Sequence, residues 1–248
     1  AISIIKSIFI IIWFKPDVFF STGSFVSGPT GIAALIMRKP IFIQEQNSYP
    51  GLTNRFLGKF VKTVFLGNKN AQKFFTFKKC FHSGNPINHN IINSREIEPK
   101  KIGLKSQSFK IMVVGGSQGS RIINNTIKEI LWDLLEQNIE IIWQAGERNL
   151  EKLKKRYNQR DLFVFGFDKD IGSYYKMADL VITRGGALTI AELEILNKPM
   201  IIIPLAIAAG NHQYYNALEM KKKGMAEIIK ENKLNKRNLL NKISQIRK

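Results

Sequence analysis

The sequence is poor in the residues that build covalent or metal-held scaffolds. A single cysteine, Cys80, excludes a disulfide framework and a cysteine-based zinc cluster, and it suggests a reducing compartment. Three histidines (His82, His89, His212) leave little room for a histidine-rich metal site, so neither a metal nor a cofactor is expected. Acidic residues are scarce: 19 stand against 38 lysines and arginines, a formal net charge of +19. Such an excess favours an anionic contact, whether a membrane surface, nucleic acid or a phosphorylated substrate. Lysine, isoleucine and asparagine are, however, used heavily throughout, and the lysines do not gather in one patch. Aromatics are not interleaved with the basic residues and no nucleic-acid motif occurs, so no nucleic-acid partner is expected. No apolar run reaches the about 20 residues that a bilayer span needs. The opening run, Ile2 to Phe14, is interrupted by Ser3, Lys6 and Ser7 and has no signal-peptide cleavage pattern. The chain has no initiator Met and starts inside this apolar helix, so it reads as a fragment whose preceding part is missing.

What is present is ordinary globular material. The 248 residues are 44% hydrophobic, which rules out global disorder. Short β-branched runs alternate with longer amphipathic ones. Strands are expected at 17–22, 40–44, 64–66, 80–82, 110–114, 140–144, 162–165, 179–183, 200–204 and 226–229. Helices are expected at 2–14, 28–38, 52–62, 121–137, 150–158, 171–177, 187–197, 213–223 and 235–248. Residues 85–108 have no clear period and read as a linker. The fold class is therefore α/β, with parallel sheets covered on both faces, in a partial N-terminal domain (1–100) and a C-terminal domain (101–248) with a cleft between them. Ligands in such folds bind beyond the carboxyl ends of the strands.

Every chemically suggestive segment lies at such a strand end. Gly115-Gly116-Ser117-Gln118-Gly119-Ser120 follows a strand and opens a helix. Glycines admit close backbone approach and a helix N-terminus offers N–H groups, so this is either a phosphate cradle or a tight strand–helix turn. Thr183-Arg184-Gly185-Gly186-Ala187-Leu188-Thr189 repeats the arrangement, with Glu192 in the first turns of its helix. A carboxylate there can accept two ribose hydroxyls, or simply favour the helix dipole. Asn211-His212-Gln213 and Asn216 offer amides for sugar hydroxyls, or a helix cap. Gln44-Glu45-Gln46-Asn47 and the turn Gly23 to Pro29 complete the set.

Taken together, Ser27-Gly28-Pro29, Glu45-Gln46-Asn47, Gly51-Leu52-Thr53-Asn54, Gly84-Asn85-Pro86, Gly115 to Ser120, Arg184 to Glu192 and His212-Gln213…Asn216-Ala217 resemble the MurG family, in order and spacing, from about Lys15 to about Ile229. The resemblance implies the GT-B fold, two Rossmann-like domains, the N-terminal one incomplete here. It implies inverting transfer of N-acetylglucosamine from UDP-GlcNAc onto lipid I, undecaprenyl-diphosphoryl-muramoyl-pentapeptide, to give lipid II in peptidoglycan synthesis. It implies a peripheral enzyme on the cytoplasmic face of the bacterial inner membrane, touching an anionic membrane surface. Site residues follow from matching positions. Asn47 holds the donor sugar. Gly116, Ser117 and Gln118 lie at the diphosphate. Arg184, Ala187, Leu188 and Thr189 line the phosphates and ribose, and Glu192 binds the ribose. Gln213 binds the GlcNAc hydroxyls, and Phe167–Asp168 falls where backbone reads the uracil.

The sequence also departs from the family. Its N-terminal glycine-rich loop, which would hold the acceptor diphosphate and supply a candidate base, is absent, so no catalytic residue is named. Asn88 stands where an arginine is common, Gln44 replaces a histidine, and the C-terminus is short by about a helix. Alternative readings are a UDP-GlcNAc-binding fragment without catalysis and a UDP-GlcNAc epimerase-like enzyme. The opening helix carries Ile5, Ile8, Phe9, Ile12 and Trp13 on one broad face near Lys6 and Lys15, which suits either an anionic lipid surface or a core.

Overall fold

The computed structural model describes residues 2–75, 79–116, 118–157 and 160–247. The chain divides into two compact units, one of Ala1–Pro86 with Ile207–Asn216, the other of Ile87–Ala206 with Ala217–Lys248.

The first unit is built on four parallel strands in the order β1 (Phe19–Ser21), β2 (Ile41–Glu45), β3 (Thr63–Leu66), β4 (Lys79–His82). Helices α1 (Ile2–Phe14), α2 (Ser27–Ile36) and α3 (Leu52–Leu57) belong to it. The strands' period of two sorts the side chains. Ile41, Ile43, Val64 and Leu66 are buried with Ile11 of α1, Ala33 and Ala34 of α2 and Leu57 of α3. The alternate positions of adjacent strands supply a row of rings, Phe20, Phe42, Phe65 and Phe81, with centroids 6.1–6.5 Å apart. Helix α1 buries only Ser7 and Ile11, with Ile4 and Ile8 half-buried on the same core. Ile5, Phe9, Ile12 and Trp13 are exposed. Ile8 thus leaves the apolar face expected for it and packs inward.

The second unit has six parallel strands: β5 (Phe109–Val114), β6 (Ile139–Gln144), β7 (Leu162–Phe165), β8 (Leu180–Thr183), β9 (Met200–Ile202) and β10 (Ala226–Ile228). Their order in the sheet is β10-β9-β8-β5-β6-β7, so the winding reverses at β5. Helices α4 (His89–Asn93), α5 (Arg121–Glu136), α6 (Glu147–Arg156), α7 (Ile171–Met177), α8 (Ala187–Ile195), α9 (His212–Lys222) and α10 (Lys236–Arg247) complete the chain. The strands are apolar throughout because both faces are covered. Ile111, Val113, Ile141, Trp143 and Ile182 pack in one cluster with α5 and α10. Met112, Val114, Ile142 and Val181 pack in the other with Tyr174, Tyr175, Ile190 and Leu193. Among the described residues, no helix is long and apolar enough to cross a membrane.

Three expectations change. The helix expected over 52–62 ends at Leu57, where Gly58 is squeezed: a Cβ there would lie 2.6 Å from Phe75 and 2.7 Å from the Asn54 carbonyl. The expected linker over 85–108 contains α4 and a 3-10 turn at Pro99–Ile102, and it buries Ile91 and Leu104 in the core of the second unit. The chain consequently divides after Pro86 rather than near residue 100, and Ile207–Asn216 counts with the first unit. The ends of the helices expected to reach Asn158 and Lys248 lie outside the described residues.

Candidate functional site

In the second unit the two glycine turns follow β5 and β8, which are hydrogen-bonded neighbours at the point where the winding reverses. This is where doubly wound sheets open a crevice at their carboxyl ends. Gly116 has φ +80° with open space where a Cβ would stand, so backbone is presented outward there. Gly119 (φ +72°) instead faces the turn after β6: a Cβ would lie 2.3 Å from the Ala145 carbonyl oxygen. That turn is braced from α5, since Asn124 donates to the Ala145 carbonyl (2.9 Å) and accepts from the Trp143 indole (3.0 Å). Gln118 is exposed at the tip of the turn. Ser117 lies outside the described residues.

The two helices that start from these turns share a feature. α5 begins at Ser120 and α8 at Gly186, and neither has a side-chain cap among the described residues. The positive end of each helix dipole therefore lies at these turns, which suits an anion. Ala187, Leu188 and Thr189 form the first turn of α8, with Leu188 exposed. Glu192 lies one turn further on. Burial pushes its carboxyl above the usual carboxylate range, and a hydrogen bond from Tyr175 pulls it partly back. Tyr175, on α7, is buried and also bonds Thr189; burial and the neighbouring Glu192 push its hydroxyl far above the usual range.

Arg184 points across the strand ends rather than outward. Its Nη2 donates to Ser120 Oγ (2.8 Å) and pairs with Glu231 (2.7 Å), while Nη1 donates to the Ile203 carbonyl (3.1 Å). The second Glu231 oxygen accepts the Ala206 N–H (2.9 Å). Burial would raise the Glu231 carboxyl, but the Ala206 N–H and Arg184 hold it below its ordinary range. Asp168 is engaged locally: it accepts from the Asp170 N–H (2.9 Å) and the Tyr174 hydroxyl (2.8 Å). Asp170 accepts from Ser173 (2.7 Å). Asp168-Lys169-Asp170 is the chain's one Asp-x-Asp, a pattern that can hold a metal ion. Here both carboxylates serve the start of α7, and no group of three or more metal-ligating residues exists among the described residues. The Phe167 N–H, expected at the base, donates to Glu147 (2.7 Å).

In the first unit Asn47 sits in a polar network at the end of β2. Buried Glu45 accepts from the Asn47 backbone N–H (2.9 Å) and Nδ2 (3.1 Å), and from Asn54 Nδ2 (2.8 Å). Asn216 Nδ2 donates to Asn47 Oδ1 (3.0 Å), and Asn216 Oδ1 accepts from the Ser48 N–H (2.9 Å) and hydroxyl (3.0 Å). The Asn47 amide is thus fixed in orientation with hydrogen-bonding capacity left for a ligand. Gln213 is half-buried in the first turn of α9, three residues before Asn216. Asn88 caps α4, accepting from the Asn90 N–H (2.9 Å).

Residues 110–248 match the glycosyltransferase family 28 C-terminal domain, and residues 1–66 match the family 28 N-terminal domain. A relative from Syntrophus aciditrophicus, named UDP-N-acetylglucosamine–N-acetylmuramyl-(pentapeptide) pyrophosphoryl-undecaprenol N-acetylglucosamine transferase, is 39% identical over 245 residues, 97% of this chain and 67% of the relative. The chain belongs to the MurG family of glycosyltransferases, within family 28. Its two parallel sheets match the GT-B fold of that family: the crystal structure of Acinetobacter baumannii MurG superimposes with a TM-score of 0.75 at 26% identity, covering 99% of this chain and 69% of that one. A structure described as a UDP-N-acetylglucosamine 2-epimerase from Listeria monocytogenes shares the fold alone, with a TM-score of 0.69 at 14% identity over 98% of this chain and 69% of that one. The chain spans about two thirds of the length of the MurG relatives it matches.

Within this MurG-family chain, Gly116, Gln118, Ala187, Leu188, Thr189 and Glu192 gather at adjacent strand ends of one sheet. Arg184 reaches that cluster through Ser120. Asp168 follows β7, at the sheet's edge, and Asn47 and Gln213 belong to the other unit. Sequence reasoning missed Tyr175 and Glu231, and it gave Ser120, at the end of the first glycine turn, no role of its own. Tyr175 reads as core on an apolar helix, and Glu231 is 47 positions from its partner in a stretch without period.

Proposed function

We propose that the chain is the donor-binding part of an inverting hexosyltransferase that moves GlcNAc from UDP-GlcNAc to lipid I. The observation that carries this reading is the pair of glycine turns that open α5 and α8 at the ends of the neighbouring strands β5 and β8, with Glu192 one turn along, in a MurG-family chain. The acceptor hydroxyl attacks the anomeric carbon, a new C–O bond forms, and the bond to the β-phosphate oxygen breaks. UDP leaves with the electron pair, and the acceptor proton passes to a base. The N–H groups at the starts of α5 and α8 stabilise the charge that develops on the diphosphate. Glu192 accepts ribose hydroxyls, and the backbone at Phe167–Asp168 lies beside the uracil. Asn47 and Gln213 take the GlcNAc hydroxyls. The epimerase reading has support only at the level of fold.

Calorimetric titration with UDP-GlcNAc, with UDP-glucose and ADP as controls, tests the assignment. Selective UDP-GlcNAc binding is expected, weakened in Glu192→Ala by about 1–3 kcal/mol through lost charged hydrogen bonds. Equal affinity for ADP, or an unchanged Glu192→Ala, would sink the donor site as drawn. The exposed residues Ile5, Phe9, Ile12 and Trp13 of α1, close in sequence to Lys6 and Lys15, support a peripheral site on an anionic membrane on its cytoplasmic face. Binding to anionic vesicles is expected to weaken as salt rises; equal binding to neutral vesicles at every salt concentration contradicts the electrostatic part.

A further inference from the structure

The start of α5 combines two observations that do not ordinarily go together. Ser120 has the extended backbone of an N-cap (φ −122°, ψ +111°), and its carbonyl accepts the Asn124 N–H at 2.8 Å, as a cap residue's carbonyl does. A serine so placed normally turns its hydroxyl onto the N–H groups two or three residues ahead. Here the hydroxyl makes no such bond. It accepts instead from Arg184 Nη2, at 2.8 Å.

Arg184 is in turn held from three sides. Besides Ser120, its guanidinium meets the Ile203 carbonyl at the end of β9 and the Glu231 carboxylate, and Glu231 is itself fixed by the Ala206 N–H. Arg184 and Glu231 are both mostly buried, so neither is a solvent-exposed pair that would rearrange freely. A guanidinium offers donors in a rigid fork, which lets one side chain hold several acceptors in fixed directions. The Ser120 rotamer is thereby set by residues 64 and 111 positions later in the chain.

We propose that Arg184, oriented by Glu231, is a positioning residue that draws the Ser120 hydroxyl away from α5 and so keeps that helix start open for the diphosphate of the donor. A hydroxyl in the capping position would occupy the same N–H groups that a phosphate oxygen needs. The inference rests on the donor reading for its ligand, but not for the uncapping itself. It assigns Glu231, outside every glycine turn, to the donor site. It also gives Arg184 an indirect part rather than the direct contact expected from its place in the motif.

The test is a rescue. Arg184→Met releases the Ser120 hydroxyl to cap α5; Arg184→Met with Ser120→Ala removes the competing hydroxyl as well. Two readouts are taken on folded protein: amide hydrogen exchange at Ile122 and Ile123, and UDP affinity by calorimetry. Exchange is expected to slow in the single variant and return in the double. UDP affinity is expected to fall about fivefold to tenfold, the equivalent of one helix cap, and to recover in the double variant. Unchanged exchange in Arg184→Met overturns the proposal whether or not UDP binds. A loss of UDP binding that Ser120→Ala does not restore also overturns it, since Arg184 would then touch the ligand or merely brace the fold. If exchange behaves as expected but no form binds UDP, the uncapping is supported and it is the donor reading that has failed. Should Arg184→Met not fold, Glu231→Gln with and without Ser120→Ala is read in the same way.

Discussion

The two ends of the six-stranded sheet are built on opposite principles. At its amino end, Lys110 and Glu140 are direct cross-strand partners on β5 and β6, both almost wholly buried, with a 3.5 Å ion pair. Every neighbour serves them. Glu140 accepts from Ser108 and from the Lys105 N–H (2.7 Å), and Lys110 Nζ donates to the Ser108 carbonyl (3.0 Å). The Lys110 N–H goes to Asp179 (2.7 Å). At the carboxyl end, α5 starts without a side-chain cap among the described residues, glycines hold left-handed conformations, and a serine in the capping position is turned aside. A buried charge is tolerable only when paired and fully bonded, and the amino end meets that condition. At the carboxyl end the start of α5 has no side-chain cap among the described residues, which suits an anion. The contrast separates the end of the sheet that paired charges seal from the end at which glycine turns and helix starts gather.

The sharpest way to break the contrast is at the rigid end. Lys110→Met leaves Glu140 buried with no cation, and the chain is expected to lose about 3–5 kcal/mol of stability in urea denaturation. The UDP affinity of the protein that remains folded is expected to stay the same. A loss well under 1 kcal/mol would mean that the amino end is not the anchor described here. The glycine turn gives a smaller and mixed effect. Gly119→Ala puts a methyl group 2.3 Å from the Ala145 carbonyl at φ +72°, so both stability and UDP binding are expected to suffer, the former by about 3 kcal/mol or more, the backbone cost with the clash on top of it. Gly116→Ala meets no protein atom, so it carries only the backbone cost of about 1–2 kcal/mol. Equal stability losses in the two variants would refute the division of labour between these glycines.

The carboxyl end was the more legible of the two in the sequence. Gly115 to Ser120 and Arg184 to Glu192 announce strand–turn–helix junctions because glycine and the switch from a period of two to a helical period are local signals. The unbroken apolar strands of the second unit likewise declare a sheet covered on both faces. Lys110 and Glu140 gave no such sign: each interrupts an apolar strand, and only the register that sets them opposite one another explains them. Residues 85–108 were opaque for a related reason. Ile91 in α4 and Leu104, two residues after the 3-10 turn, join one core cluster from segments too brief to show a period. The Arg184–Glu231 pair joins segments far apart in the chain, and no local pattern marks either residue as the other's partner.

The least of the expected effects concerns Glu192, a carboxylate whose burial disfavours its charge. Burial raises its pKa above that of the unfolded chain, about 4.3, so its contribution to stability is fully present below that value. The contribution falls as the pH rises toward the folded pKa and is constant above it. Glu192→Gln is expected to remove this fall, so its stability, measured by denaturation between about pH 4 and 7, declines less with pH than the parent's. Tyr175→Phe acts in the opposite direction. It deletes the hydrogen bond that favours the carboxylate, raises the Glu192 pKa further and steepens the decline. Parallel curves for the parent and both variants would mean that Glu192 is as well solvated as any surface carboxylate.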